Sequence, residues 1–154
     1  VNVIAPILTE SGGGVCRQTI FYPFLHTSMF GRGTALRPIV DSPKYDSKDY
    51  TDVPYIETVA VMNEEDEELT LFVVNRSLED AITISCFFRG FEDYMFTEHI
   101  ALENENLNAV NTLANPDAVV PHIRQGSCVS LGKGEFTIEL QKTSWNVIRF
   151  KKAR

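Results

Sequence analysis

Positive charge is scarce in this chain. Fourteen Lys and Arg face twenty-one Asp and Glu, for a formal charge of −7. A phosphate-binding face needs clustered cations, and the cluster present is the closing "RFKKAR", which reads as a solvated tail. This balance argues against nucleic acid as a partner. Long apolar runs are also missing: none approaches the roughly 20 residues a membrane helix requires, so no membrane partner is expected. The opening residues carry neither the basic region nor the small-residue cleavage site of a signal peptide. Cysteine is sparse, with Cys16, Cys86 and Cys128 odd in number and widely spaced. Without a C-x-x-C pair or an H-E-x-x-H helix, no metal site or redox motif is signalled. A reducing, cytoplasmic setting fits this usage. No cofactor is expected, and no internal repeat of fixed period is found.

What is present is a chain of 154 residues, 44% hydrophobic and 23% charged, long enough to bury a core. Its opening "VNVIAPIL" is an apolar, strand-like run closed by Pro6, and "TESGGG" then breaks regularity with Gly12 to Gly14. From Thr19 the spacing turns helical. Ile20 and Phe24, and Phe21 and Leu25, are i,i+4 pairs on one face. Thr19 can cap the helix start, Pro23 is tolerated early, and Gly31 or Gly33 can end it in a left-handed conformation.

After Gly33 the period changes to two. "TALRPIV" reads as a strand, and "DSPKYDSKDYTDVP" as a long polar connection. In "YIETVAVMN", Ile56, Thr58, Ala60 and Met62 share one face. "AITISCFF" puts Ile82, Ile84, Cys86 and Phe88 on one face, and "EFTIELQ" does the same with Phe136, Ile138 and Leu140. Residues 102–126 read as a crossing loop, and "SWNVIRF" as a last strand. Short alternating strands with hairpin-spaced turns predict an antiparallel sandwich or barrel. The chain therefore divides near Gly33. A lone strand–loop–helix unit cannot bury its own faces, so residues 1–33 are expected to belong to a larger α/β body.

"VNVIAPILTE", "RQTIFYPFLHTSMFGRG", "DSPKYDSKDYTDVPYIETVAV", "NTLANPDAVVPH" and "SWNVIRF" together resemble the C-terminal part of family 51 glycoside hydrolases, the intracellular α-L-arabinofuranosidases. The resemblance runs from Val1 to Phe150. It implies a mainly β chain, a jelly-roll antiparallel β-sandwich over 34–154, preceded over 1–33 by the last βα unit of a catalytic TIM (β/α)8 barrel. Residues 1–7 would come from the last barrel strand, 8–18 from the loop after it and 19–30 from the last barrel helix. The family is retaining, with two glutamates as acid/base and nucleophile; retention sets the carboxyls about 5–5.5 Å apart. Both glutamates are expected upstream of Val1, so no catalytic residue is assigned here. The implied partners are the remaining N-terminal barrel polypeptide, an arabino-oligosaccharide substrate, and further copies in a homo-oligomer, a hexamer in relatives.

Active sites of such barrels are built from loops at the C-terminal ends of the strands. Asn2, Cys16 and Arg17 are therefore the substrate-side candidates. Arg17 either hydrogen-bonds a sugar hydroxyl or pairs with a barrel carboxylate, or else it ties the loop to the helix start, the reading preferred here. Relatives commonly have Trp where this sequence has Cys16, so sugar stacking is expected to differ. The acidic run Glu64 to Glu68 lacks the spacing and glycine of a Ca²⁺ loop and reads as a solvated hairpin turn. His26, His99 and His122, placed on a helix, a strand and a loop, are given structural roles. Trp145 is read as a core or interface aromatic. The tripeptide "NRS" at Asn75 matches a glycosylation pattern at chance level. A stand-alone carbohydrate-binding or assembly β-sandwich is the alternative, predicting an exposed aromatic strip. The enzyme-part reading predicts an uncovered apolar face around Ile4, Ile7, Ile20, Phe21 and Phe24.

Overall fold

A computed structural model describes residues 5–154; Asn2 and Ile4 lie outside that range. Among the described residues the backbone forms thirteen strands and one helix. Two short strands, β1 (Ile7–Thr9) and β2 (Val15–Arg17), pair antiparallel ahead of helix α1 (Phe21–Phe30). The segment 8–18, expected to be the loop after the last barrel strand, is largely a hairpin here. Its glycine triplet is the reason: Gly12 takes φ +72°, and Gly13 N donates to Glu10 O, folding the chain back. Gln18 N to Pro6 O continues the pairing below Ile7.

The capping expectation fails at both ends of α1. Ile20, not Thr19, occupies the N-cap, without a side-chain bond. The Thr19 carbonyl serves instead, accepting from Tyr22 N, while Gln18 O accepts from Phe21 N. Pro23 falls in the first turn, where a missing N–H costs no helical bond. Gly31 closes the helix by donating to Thr27 O at φ −93°, so it is not left-handed. Gly33 is the residue with positive φ, at +137°.

The rest is a two-layer antiparallel sandwich, one of the two architectures the alternation allows and the one the resemblance implies. One sheet has six strands in the order β10-β9-β13-β7-β6-β3: β3 (Thr34–Leu36), β6 (Ile56–Asn63), β7 (Glu68–Asn75), β9 (Tyr94–Leu102), β10 (His122–Ile123) and β13 (Ser144–Lys152). The facing sheet has three, β11-β12-β8: β8 (Ile82–Phe87), β11 (Cys128–Gly132) and β12 (Glu135–Leu140). A separate pair, β4 (Lys44–Tyr45) with β5 (Val53–Pro54), pins the polar connection.

Period-two faces meet between the layers. Ile56, Ala60, Leu69, Leu71, Val73, Ile148 and Phe150 of the large sheet bury against Phe136, Ile138 and Leu140 of the small one, with Ile82, Ile84 and Cys86 packed alongside. Phe88, Phe136 and Phe150 form an aromatic cluster with centroids 4.7 to 5.3 Å apart. The acidic run is the β6–β7 turn; Asn63 Oδ1 accepts from the N–H groups of Glu65 and Asp66.

α1 lies on the outer face of the large sheet. There Val61, Phe72 and Val147 form a second cluster with Phe30, Ile100 and Trp145. The buried helix residues are Tyr22 and His26, with Phe30 completing the i,i+4 stripe, rather than the Ile20–Phe24 and Phe21–Leu25 pairs. Of those four residues Ile20, Phe21 and Leu25 are half-buried, and Phe24 is 63% exposed.

Candidate functional site

The residues singled out as substrate-side fall on the hairpin. Strand alternation along β2 sends Cys16 inward, 1% exposed, and Arg17 outward. The Arg17 guanidinium carbon lies 5.9 Å from the ring centroids of both Phe21 and Tyr22, within cation–π range. Its carbonyl accepts from Asn111 Nδ2 at 3.0 Å. Arg17 thus joins three segments: the hairpin, the helix start and the long loop.

That loop is more ordered than its composition suggests. Asn104, Asn106 and Asn111 fold it through side-chain bonds to backbone: Asn104 Oδ1 accepts from Asn106 N, Asn106 Oδ1 from Asn108 N, and Asn111 pairs with both N and O of Val119. It also holds the two-residue strand β10, which pairs with Ile100 and Ala101. His122, expected in a loop, is therefore on a strand; two residues after Pro121 are too few to show a period.

Where this loop meets Thr19 and the start of β13, a cavity of about 270 Å³ opens, lined by Leu102, Glu103, Asn104, Leu107 and Trp145. Glu103 Oε1 accepts from Arg124 Nη1 at 3.1 Å and lies 3.4 Å from His122 Nε2. Its other oxygen is buried without a partner, as is Thr143 Oγ1. A second groove of about 250 Å³ runs beside α1 over Val59, Phe72 and Trp145. Trp145 stands between the two spaces. It stacks on Phe72 with centroids 5.8 Å apart and donates Nε1–H to His26 Nδ1 at 3.3 Å. It is an interface aromatic, shared by helix and sheet.

Burial is the main cause of the shifts at Cys86, Cys128, His26 and His99, whereas Lys152 is raised by its hydrogen bond to Glu67 and Glu92 is lowered by accepting from the backbone N–H of Gly90. Burial pushes the Cys86 thiol up to about 12, with Cys128 adding to it, and the Cys128 thiol up to about 11. Thiols so placed stay protonated at neutral pH and are inert as nucleophiles. His26 and His99 are both held below the ordinary histidine value, again mainly by burial. Among the described residues, no group of three or more His, Cys, Asp and Glu is placed to hold a metal ion. No described helix is long and apolar enough to cross a membrane. The exposed aromatics Phe24, Tyr50 and Phe87 sit on α1, a loop and β8, three separate elements. Among the described residues, Arg17 and Trp145 stand where separate segments of the chain meet. The sequence pattern pointed to Arg17. It gave no sign of the Trp145–His26 and Asn111–Arg17 contacts, which join residues far apart in the chain.

Residues 1–144 match the family model of the alpha-L-arabinofuranosidase C-terminal domain. Two curated relatives are each 49% identical over 152 residues: the intracellular exo-alpha-(1->5)-L-arabinofuranosidase of Halalkalibacterium halodurans and the intracellular exo-alpha-(1->5)-L-arabinofuranosidase 1 of Bacillus subtilis. Both matches cover 99% of this chain and 30% of the relative. The chain therefore spans about a third of the length of these relatives. Among solved structures, AbfB, a family 51 alpha-L-arabinofuranosidase from Bifidobacterium longum, superposes with a TM-score of 0.86 at 32% identity, over 97% of this chain and 29% of that one.

Proposed function

The chain belongs to the alpha-L-arabinofuranosidase C-terminal domain family, and from that premise we propose that it is the C-terminal part of an intracellular retaining glycoside hydrolase. The intact enzyme releases terminal α-L-arabinofuranosyl residues from arabino-oligosaccharides. Residues 34–154 supply the jelly-roll sandwich, and residues 1–33 supply the last strand segment, loop and helix of a TIM barrel. The acid/base and nucleophilic glutamates lie on the preceding barrel polypeptide. Its loops face the substrate on the side of Asn2 and Arg17, while Cys16, buried beneath the hairpin, is left out of sugar contact, and the assembled enzyme is a homo-oligomer, as a hexamer.

The observation that carries this reading is the coverage: the match takes in nearly all of this chain but 30% of relatives named as arabinofuranosidases. The helix supports it. α1 buries Tyr22 and His26 on the sandwich yet leaves Phe24 at 63% and Met29 at 56% exposed, with Ile7 at 46% on the hairpin. Apolar surface of that kind on two adjoining elements is what a second packing partner would cover. In this role Arg17 fixes the hairpin against the helix, holding the strand-to-helix loop in place for the barrel. The sandwich contributes rigidity and subunit contacts, and no reacting group.

The test compares two purified proteins on an aryl α-L-arabinofuranoside. One is the isolated 154-residue chain; the other is the longer natural polypeptide that ends in it. Arabinose release by the longer protein alone is the expected result. Turnover by the isolated chain, or none by the longer protein, overturns the reading.

A further inference from the structure

The contact between Trp145 and His26 has a direction that chemistry fixes. An indole nitrogen can only donate, so His26 Nδ1, 3.3 Å away, must present its lone pair. The ring is then neutral, with its hydrogen on Nε2. A proton arriving at Nδ1 would set two donors against each other at hydrogen-bond distance. The bond and the imidazolium are mutually exclusive.

The surroundings offer the cation little compensation. His26 is 6% exposed. On the strands beneath it, Glu68 of β7 and Glu98 of β9 are both bound by Arg149 of β13, whose guanidinium carbon sits 4.2 Å from the centroid of Phe30. Glu57 of β6, beside the groove, is bonded to Arg76. From the hairpin, the Arg17 cation lies over the ring of Tyr22, one turn before His26. Each of these carboxylates already faces a guanidinium, so none is left as a free counter-charge for an imidazolium at His26.

We propose that Trp145 and His26 form a proton-sensitive latch that fastens α1 to the outer face of the large sheet while His26 is neutral and loosens it on protonation. Burial, the larger influence, holds His26 below its ordinary value of 6.5, and Glu98 opposes that effect. The folded state therefore binds fewer protons here than the unfolded one. The latch's contribution is complete above about pH 6.5 and is lost as pH falls through that value toward the lowered one. The device belongs to the junction between helix and sandwich and does not depend on which reaction the longer protein performs.

Hydrogen exchange read by mass spectrometry on the longer natural polypeptide tests this without an activity assay. Rates in the peptide covering Phe21–Phe30 are compared at about pH 8 and about pH 5, corrected for intrinsic exchange. The β12 peptide Glu135–Leu140 serves as the reference for global loosening. In the wild type, helix protection should fall about fivefold in acid, the loss of one hydrogen bond, while the β12 peptide holds. Trp145→Phe, which keeps an aromatic ring but has no donor, should show the lowered protection at both pH values. His26→Gln, whose amide oxygen accepts but does not titrate, should hold its protection at both. Equal wild-type protection at the two pH values overturns the proposal, and so does a Trp145→Phe protein that keeps the full pH dependence. The first two proteins decide the matter even where His26→Gln does not fold.

Discussion

His99 shows how much can rest on a single buried polar side chain. It is 0% exposed, with Nδ1 2.7 Å from Ser127 Oγ and Nε2 2.9 Å from Asn146 Oδ1. The amide nitrogen of Asn146 donates to Val73 O and Ser144 Oγ, so its oxygen must face the ring. Nε2 therefore donates, which leaves Nδ1 of the neutral ring as an acceptor for the Ser127 hydroxyl, whose hydrogen Arg124 O at 3.1 Å also competes for. Burial is the main cause of its lowered pKa; the Asn146 bond opposes it, Arg124 and His122 lower it further, and Glu103 raises it. Because the unfolded chain takes up the proton more readily, stability is full above about pH 6.5 and declines as pH falls below it. His99→Gln should cost about 1–3 kcal/mol at neutral pH, since Ser127 and Asn146 lose a matched partner. It should also flatten the acid limb of a plot of urea midpoint against pH. An unchanged slope would remove His99 from the account.

At the scale of elements, helix α1 and the turn after it are placed by contacts that the local sequence does not announce. Tyr22, His26 and Phe30 form the buried stripe although Ile20, Phe21, Phe24 and Leu25 are mostly more apolar. Phe24 and Met29 stand exposed on the helix, while Ile20, Phe21 and Leu25 are half-buried. The turn after it is constrained by Gly33: at φ +137°, a Cβ there would sit 2.1 Å from Met62 O. Gly33→Ala should therefore displace β3 from β6 and cost about 3 kcal/mol or more, read as a lowered urea midpoint. A midpoint within error of wild type would show that β3 is not held by this approach.

For the whole molecule, the outward face of α1 yields a prediction that separates the chain from its longer context. Phe24→Ser together with Met29→Ser should change the stability of the isolated chain by no more than about 0.5 kcal/mol, because both side chains are already exposed. In the longer natural polypeptide the same pair should lower stability by about 2–5 kcal/mol, the cost of removing buried apolar side chains. Thermal melts of the four proteins decide this; equal shifts in both contexts would mean that the face stays open to water.

The sandwich could be read in the sequence because a strand's side chains alternate with a period of two. Ile82, Ile84 and Cys86, or Phe136, Ile138 and Leu140, state both their element and its buried face. The 1–33 segment was half legible. The glycine triplet marked a break but not that it would be a hairpin turn, because turn type depends on backbone angles that three glycines leave open. Thr19 looked like a cap, yet backbone carbonyls took that role. The long loop concealed β10 and the Asn111 bridge, since neither two residues nor one amide leaves a period.

What the sequence determined by itself is the set of alternating strands, the change of period near Gly33 and the resemblance that its longest shared stretches carry. Tertiary structure alone decided which side of α1 docks, that Trp145 meets His26, and that Arg17 joins three segments. These contacts are set by the docking of elements whose residues lie up to 119 positions apart. A local pattern specifies what a segment is, whereas the partner of a given face depends on every other face competing to be buried.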